Sequence, residues 1–118
     1  MIREYPILPV PKPRMTQKDK WAKRDCVIRY LAFKDECKLR KVVLSVSGAH
    51  VTFILPMPES WSKKMKTFMD GKPHQLRPDR DNLEKALLDA LYKNDAIVWD
   101  CHTTKRWGRK GKIIIEVP

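Results

Sequence analysis

The chain has 118 residues, 42% of them hydrophobic, and sets 25 Lys and Arg against 14 Asp and Glu for a formal net charge of +11. That length suits one domain, residues 1–118, with a single core, and no apolar run reaches the roughly 18–20 residues that a bilayer span needs. A charge well above the usual magnitude of roughly 2–8 for a small domain points to a polyanionic partner, nucleic acid first of all.

The start, Met1-Ile2-Arg3-Glu4-Tyr5-Pro6, has neither the apolar stretch nor the small-residue cleavage site of a secretory signal. An intracellular protein is therefore expected. Cys26, Cys37 and Cys101 are odd in number and sit at no metal-like spacing. They fit a reducing compartment, where a free thiol acts as a small apolar group. His50, His74 and His102 show no paired spacing either.

In chain order, residues 2–10 predict a strand, with Pro6, Pro9, Pro11 and Pro13 confining it to an edge or ending it early. The polar, basic stretch from Lys12 to Lys20 predicts a loop. Residues 21–41 predict a helix, because Cys26, Tyr30, Phe33 and Cys37 recur at helical spacing with Val27 and Leu31 beside them. Val42 to Val46 reads equally as the helix end or a short strand. His50 to Leu55 predicts a strand, stopped by Pro56 and Pro58. A short helix follows from near Ser60, with Trp61, Met65, Phe68 and Met69 on one face and Gly71 ending it. Asp81 to Lys93 predicts a second strong helix, whose apolar set is Leu83, Ala86, Leu87, Ala90 and Leu91. Ile97 to Trp107 and Lys112 to Val117 predict strands joined as a hairpin by Gly108-Arg109-Lys110-Gly111. Trp61, Trp99 and Trp107 are expected in the core. The fold class that results is α+β, a small mixed or antiparallel sheet packed against helices.

Against this basic background, six acids fall between residues 79 and 100: Asp79, Asp81, Glu84, Asp89, Asp95 and Asp100. Carboxylates that would repel DNA can bind a divalent cation that bridges to phosphate. Asp81, Lys85 and Asp89 are spaced i, i+4, i+8 and share one stripe of the helix. A second reading is structural. Asp81 followed by Glu84 resembles a capping box, Asp79 could cap too, and the stripe could be ordinary ion pairs worth well under ~1 kcal/mol. Spacing alone leaves both open.

The stretch Pro78-Asp79-Arg80-Asp81-Asn82-Leu83-Glu84-Lys85-Ala86-Leu87-Leu88-Asp89-Ala90-Leu91 resembles the signature of the RusA family of Holliday junction resolvases, which phages and prophages often carry. Pro9-Val10-Pro11-Lys12-Pro13-Arg14, Pro56-Met57-Pro58-Glu59-Ser60-Trp61 and the C-terminal strands extend the likeness over most of the chain. It implies a RusA-like fold and catalytic acids at Asp79, Asp81 and Asp95, with an essential lysine at Lys85. Where the family has two adjacent acids before its final strand, this chain has Asn94-Asp95, so Asp100 stands as the alternative third carboxylate.

The resemblance further implies Mg²⁺-dependent cleavage of phosphodiesters in four-way junctions, with Mn²⁺ as an alternative ion. Asp79, Asp81 and Asp95 would be the metal ligands. A homodimer would make the paired cuts, in the cytoplasm of a bacterial host. Phosphate contacts are expected from Lys12, Arg14, Lys18, Lys63, Lys64, Arg77, Arg80, Lys105, Arg106, Arg109 and Lys110. Leu88 and Tyr92, off the main apolar stripe, could face a partner subunit or cover the sheet. The alternatives are a non-catalytic basic DNA-binding protein, its acids serving as caps, and an RNA-binding domain, which no aromatic-rich RNP-like strand supports.

Overall fold

A computed structural model of the chain describes residues 1–14 and 24–118. The elements run β1 (Ile2–Tyr5), α1 (Asp25–Leu39), β2 (Ala49–Pro56), α2 (Lys63–Met69), α3 (Arg80–Leu91), a 3-10 turn (Asp95–Ile97), β3 (Cys101–Gly108) and β4 (Lys112–Glu116). The architecture is α+β, with a four-stranded mixed sheet in the order β1-β4-β2-β3. β2 pairs parallel with β3 and antiparallel with β4, and β1 closes the far edge antiparallel to β4.

Alternation decides which face meets the helices. Ala49, Val51, Phe53 and Leu55 of β2, together with Ile113 and Ile115 of β4, point inward and are almost fully buried. Tyr30, Phe33 and Cys37 of α1 and Leu83, Ala86, Leu87, Leu88 and Ala90 of α3 meet them in one core. Each large apolar side chain buried there stabilises the fold by roughly 1.5–3 kcal/mol. Val27, rather than Cys26, takes the buried position in the first turns of α1. The three cysteines stand as free thiols, and burial pushes Cys37 and Cys101 up to about 11.

The predicted hairpin is not formed. β3 and β4 lie on opposite sides of β2, whose apolar inner face suits an interior position with both edges covered. The chain must then cross the end of β2 between β3 and β4. It does so at Gly108, where an added Cβ would fall 2.2 Å from Ile54 Cγ2, and at Gly111, where it would fall 2.5 Å from Leu8 Cδ1. A side chain at either position would collide with the strand or segment beneath it.

Other boundaries also move. β1 stops at Tyr5 because Pro6 cannot continue the ladder. Val42 to Val46 is a loop rather than a helix end or strand, entered through Lys41 at φ 52°. Residues 95–97 form the 3-10 turn, and β3 begins only at Cys101. Of the tryptophans, Trp107 is buried and Trp61 packs against it at 4.9 Å, but Trp99 is 77% exposed and lies outside the core. It sits on the short irregular run between the 3-10 turn and β3, which no element covers. Leu88 is buried and the Tyr92 hydroxyl donates to the Leu44 carbonyl, so both residues serve the interior of this chain.

Candidate active site

Two structural elements converge on the start of α3. The segment 71–74 runs along β3, with the Gly71 N–H donating to Trp107 O (2.9 Å), the Trp107 N–H to Lys72 O (2.9 Å) and the His74 N–H to Lys105 O (3.0 Å). The Lys105 ammonium then donates to two carbonyls of the same loop, Leu76 O and Pro78 O, each at 2.7 Å. Two residues further on, the Arg80 guanidinium donates to Thr103 Oγ1 at 2.6 Å. The first turn of α3 is therefore pinned to β3 from both sides.

Asp79 stands at the N-cap of α3 with an extended backbone (φ −68°, ψ 145°), and its side chain makes no capping hydrogen bond. That is unusual use of a residue type favoured at N-caps because it accepts from the first free N–H groups. The Asp79 carboxylate is exposed and has no hydrogen bond or ion pair among the described residues, although the Lys105 ammonium lies close enough to feel its charge. Asp81, in the first turn and also exposed, takes only the adjacent Asn82 N–H on Oδ1, at 3.0 Å. The capping reading of these acids is not how the helix is built. The ion-pair reading fares no better, since among the described residues Lys85 pairs with neither Asp81 nor Asp89.

After α3 the chain doubles back through Tyr92 and Asn94. The Asn94 side chain caps the 3-10 turn by accepting from the Ala96 N–H at 3.2 Å. This places half-buried Asp95 in a cleft of about 410 Å³ with Lys12, Pro13, Arg14, Asn82 and Lys85. Three cations and one carboxylate line it, an arrangement suited to an anionic phosphate. The Lys12 N–H donates to Asn82 O at 3.3 Å, fixing the 12–14 segment against the start of α3. Asp100, the alternative third acid, is directed elsewhere: its carboxylate and its carbonyl both accept from the Gly48 N–H at 3.0 Å, at the entrance to β2.

Asp89 has a different task. It accepts the Tyr30 hydroxyl on Oδ2 at 2.9 Å and ion-pairs with the Lys12 ammonium, joining α1, α3 and the 12–14 segment. Burial opposes its charge, but the Lys12 and Tyr30 hydrogen bonds outweigh that and hold it below the usual carboxylate range. Burial and the same carboxylate drive the Tyr30 hydroxyl upward, so it stays a donor. His74 is 5% exposed, packs on Trp107 with ring centroids 4.1 Å apart, and leaves Nδ1 without a partner among the described residues. Burial and the nearby Lys105 charge keep it neutral by lowering its pKa.

Among the basic residues expected at phosphates, Lys12 and Arg14 line the cleft beside the expected catalytic Lys85, and Lys63, Lys64, Arg77 and Lys110 are exposed. Arg80 and Lys105 bind the chain itself, as above. The Arg106 guanidinium donates to Gly71 O at 2.8 Å and that of Arg109 to Thr67 Oγ1 at 3.3 Å. Lys18 lies outside the described residues.

Among the described residues no three His, Cys, Asp or Glu side chains gather closely enough to hold a metal ion on their own. Asp79 and Asp81 nonetheless fit Mg²⁺ in kind: they are hard oxygen donors that the fold leaves exposed and, among the described residues, outside any ion pair. Mg²⁺ is usually bound through one or two carboxylates, with substrate phosphates and water completing the shell. The sequence marked these acids and, in the same signature, Asn82, but not Tyr30 or the tethering role of Lys105. The latter two act across the fold and leave no spacing signal.

A basic α+β domain that presents exposed carboxylates at a helix start, beside a cationic cleft, is suited to metal-assisted chemistry on a phosphodiester. The family described as endodeoxyribonuclease RusA matches residues 6–118, nearly the whole chain, and the chain belongs to that family. The protein is therefore an endodeoxyribonuclease of the Holliday-junction-resolving kind. No curated protein and no solved structure matches it.

Proposed function

We propose that the protein cuts four-way DNA junctions with Mg²⁺ held by Asp79 and Asp81, Asp95 supplying a further oxygen donor, and Lys85 acting at the scissile phosphate. One observation carries this reading: Asp79 occupies the N-cap of α3 yet does not cap it. An ion held by these aspartates would polarise a phosphoryl oxygen and make water more acidic.

The chain's own residues do the rest. Lys85 lies in the cleft with its ammonium outside any ion pair among the described residues, so it is available to the charge that develops on the phosphoryl oxygens. Arg14 holds the backbone phosphate in the same cleft, with Lys12, ion-paired to Asp89, adding positive charge beside it. Arg77, Lys63, Lys64 and Lys110 extend the positive surface toward the junction arms. Two symmetric cuts need two such sites, which a twofold dimer provides.

The test is cleavage of a four-way junction with and without Mg²⁺, beside a linear duplex control. Cleavage should require the ion, favour the junction, and vanish in Asp81→Asn while junction binding persists. Metal-independent cutting, or equal cutting of the linear duplex, refutes the reading. Sedimentation of the free protein checks the dimer.

A further inference from the structure

A lysine on a DNA enzyme is ordinarily taken as a phosphate contact. Lys105 is placed differently. In the parallel β2–β3 register it pairs with Phe53, so both side chains leave the same face of the sheet, and Phe53 is fully buried. Lys105 therefore rises from the helix-bearing side. Its ammonium ends on Leu76 O and Pro78 O, the carbonyls that flank Arg77 immediately before Asp79. Its own carbonyl accepts the His74 N–H. Two places along, Thr103 faces the same way, is 7% exposed and receives Arg80.

The loop needs such a tether. It follows Pro73 and ends at Pro78, neither of which has an N–H to give to a ladder. Beyond the His74 N–H to Lys105 O, no backbone hydrogen bond joins residues 75–78 to the sheet among the described residues. The Lys105 side chain supplies what the backbone does not, and it does so next to the first catalytic acid. With two of its three donors on carbonyls, little remains for a phosphate.

We propose that Lys105 is a positioning residue: its ammonium fastens loop 75–78 to β3 and thereby sets where Asp79 and Asp81 stand, and it does not hold DNA. This rests on the assignment of those two aspartates as catalytic. A misplacement of ~1 Å at a reacting group is worth about 100-fold in rate. In Lys105→Met, single-turnover cleavage at saturating junction should fall at least about 10-fold. Junction affinity and its salt slope should stay as in the wild type. A wild-type rate at saturation, or a salt slope reduced by about one unit, overturns the proposal.

A second measurement needs no variant to fold. Amine-reactive labelling of the free wild-type protein, read by mass spectrometry, should modify Lys105 far more slowly than exposed Lys38 on α1. Adding junction DNA should leave Lys105 unchanged. Labelling as fast as Lys38, or protection that appears only with DNA, overturns it. The carboxylate assignment fails on a separate result, wild-type cleavage by Asp79→Asn and Asp81→Asn, so the two ideas can be told apart.

Discussion

The two ends of α3 use the same side chain in opposite ways. At the N-terminus, Asp79 and Asp81 are exposed, do not cap the helix and, among the described residues, form no ion pair. Near the C-terminus, Asp89 has a hydroxyl and an ammonium on the same oxygen and ties three segments together. An aspartate that the fold has fully engaged stabilises it, and one that it leaves alone is available for chemistry. The contrast is functional because a buried charge without partners is costly, whereas an exposed one is cheap to keep ready.

That contrast can be broken from either end. The largest effect is expected at the free end: Asp79→Asn or Asp81→Asn should lower junction cleavage by on the order of 100-fold or more, with melting temperature and junction affinity nearly unchanged. A large drop in melting temperature instead would make these acids structural and erase the distinction. At the engaged end, Asp89→Ala should cost about 2–3 kcal/mol of folding stability, because it leaves the Tyr30 hydroxyl and the Lys12 ammonium without their acceptor. Denaturant unfolding would measure it, and a cost within about 0.5 kcal/mol would show that the network holds nothing. Tyr30→Phe removes one neutral donor and should cost about 1 kcal/mol in the same assay.

Acid should sharpen the comparison further. The Asp89 pKa is lower in the folded chain than in the unfolded one, so its contribution is fully present above the unfolded value of about 3.9 and is lost as pH falls through the folded value. His74 acts in a separate window. Its folded pKa is lowered, so the unfolded chain binds the extra proton, and stability should decline as pH drops below about 6.5. Thermal melts from pH 8 to 3 should show both declines, the upper one flattened in His74→Phe and the lower one in Asp89→Asn. Neither change should respond to Asp79→Asn.

Much of this was legible in the chain. The period of α3 shows in Leu83, Ala86, Leu87 and Ala90, since a helix with one buried face must repeat at 3.6 residues. The inner face of β2 shows in its alternation, and the acid cluster stands out against a basic background. What could not be read was who pairs with whom. The strands at 101–108 and 112–116 look like a hairpin because nearness in sequence is the only pairing signal a short loop offers. Yet β2, more than fifty residues earlier, enters between them, and only Gly108 and Gly111 hint that the loop crosses something.

The sequence by itself determined the class of partner, the element types and the acids and lysine that the family's signature marks, because charge, periodicity and a local motif are properties of neighbouring residues. Tertiary structure alone decided that Asp89 is engaged while Asp79 is free, that Asp95 joins Lys85 while Asp100 turns to Gly48, and that Lys105 reaches a loop. Those outcomes depend on where side chains distant in sequence meet, and hydrogen bonds and ion pairs act only over a few ångströms of space.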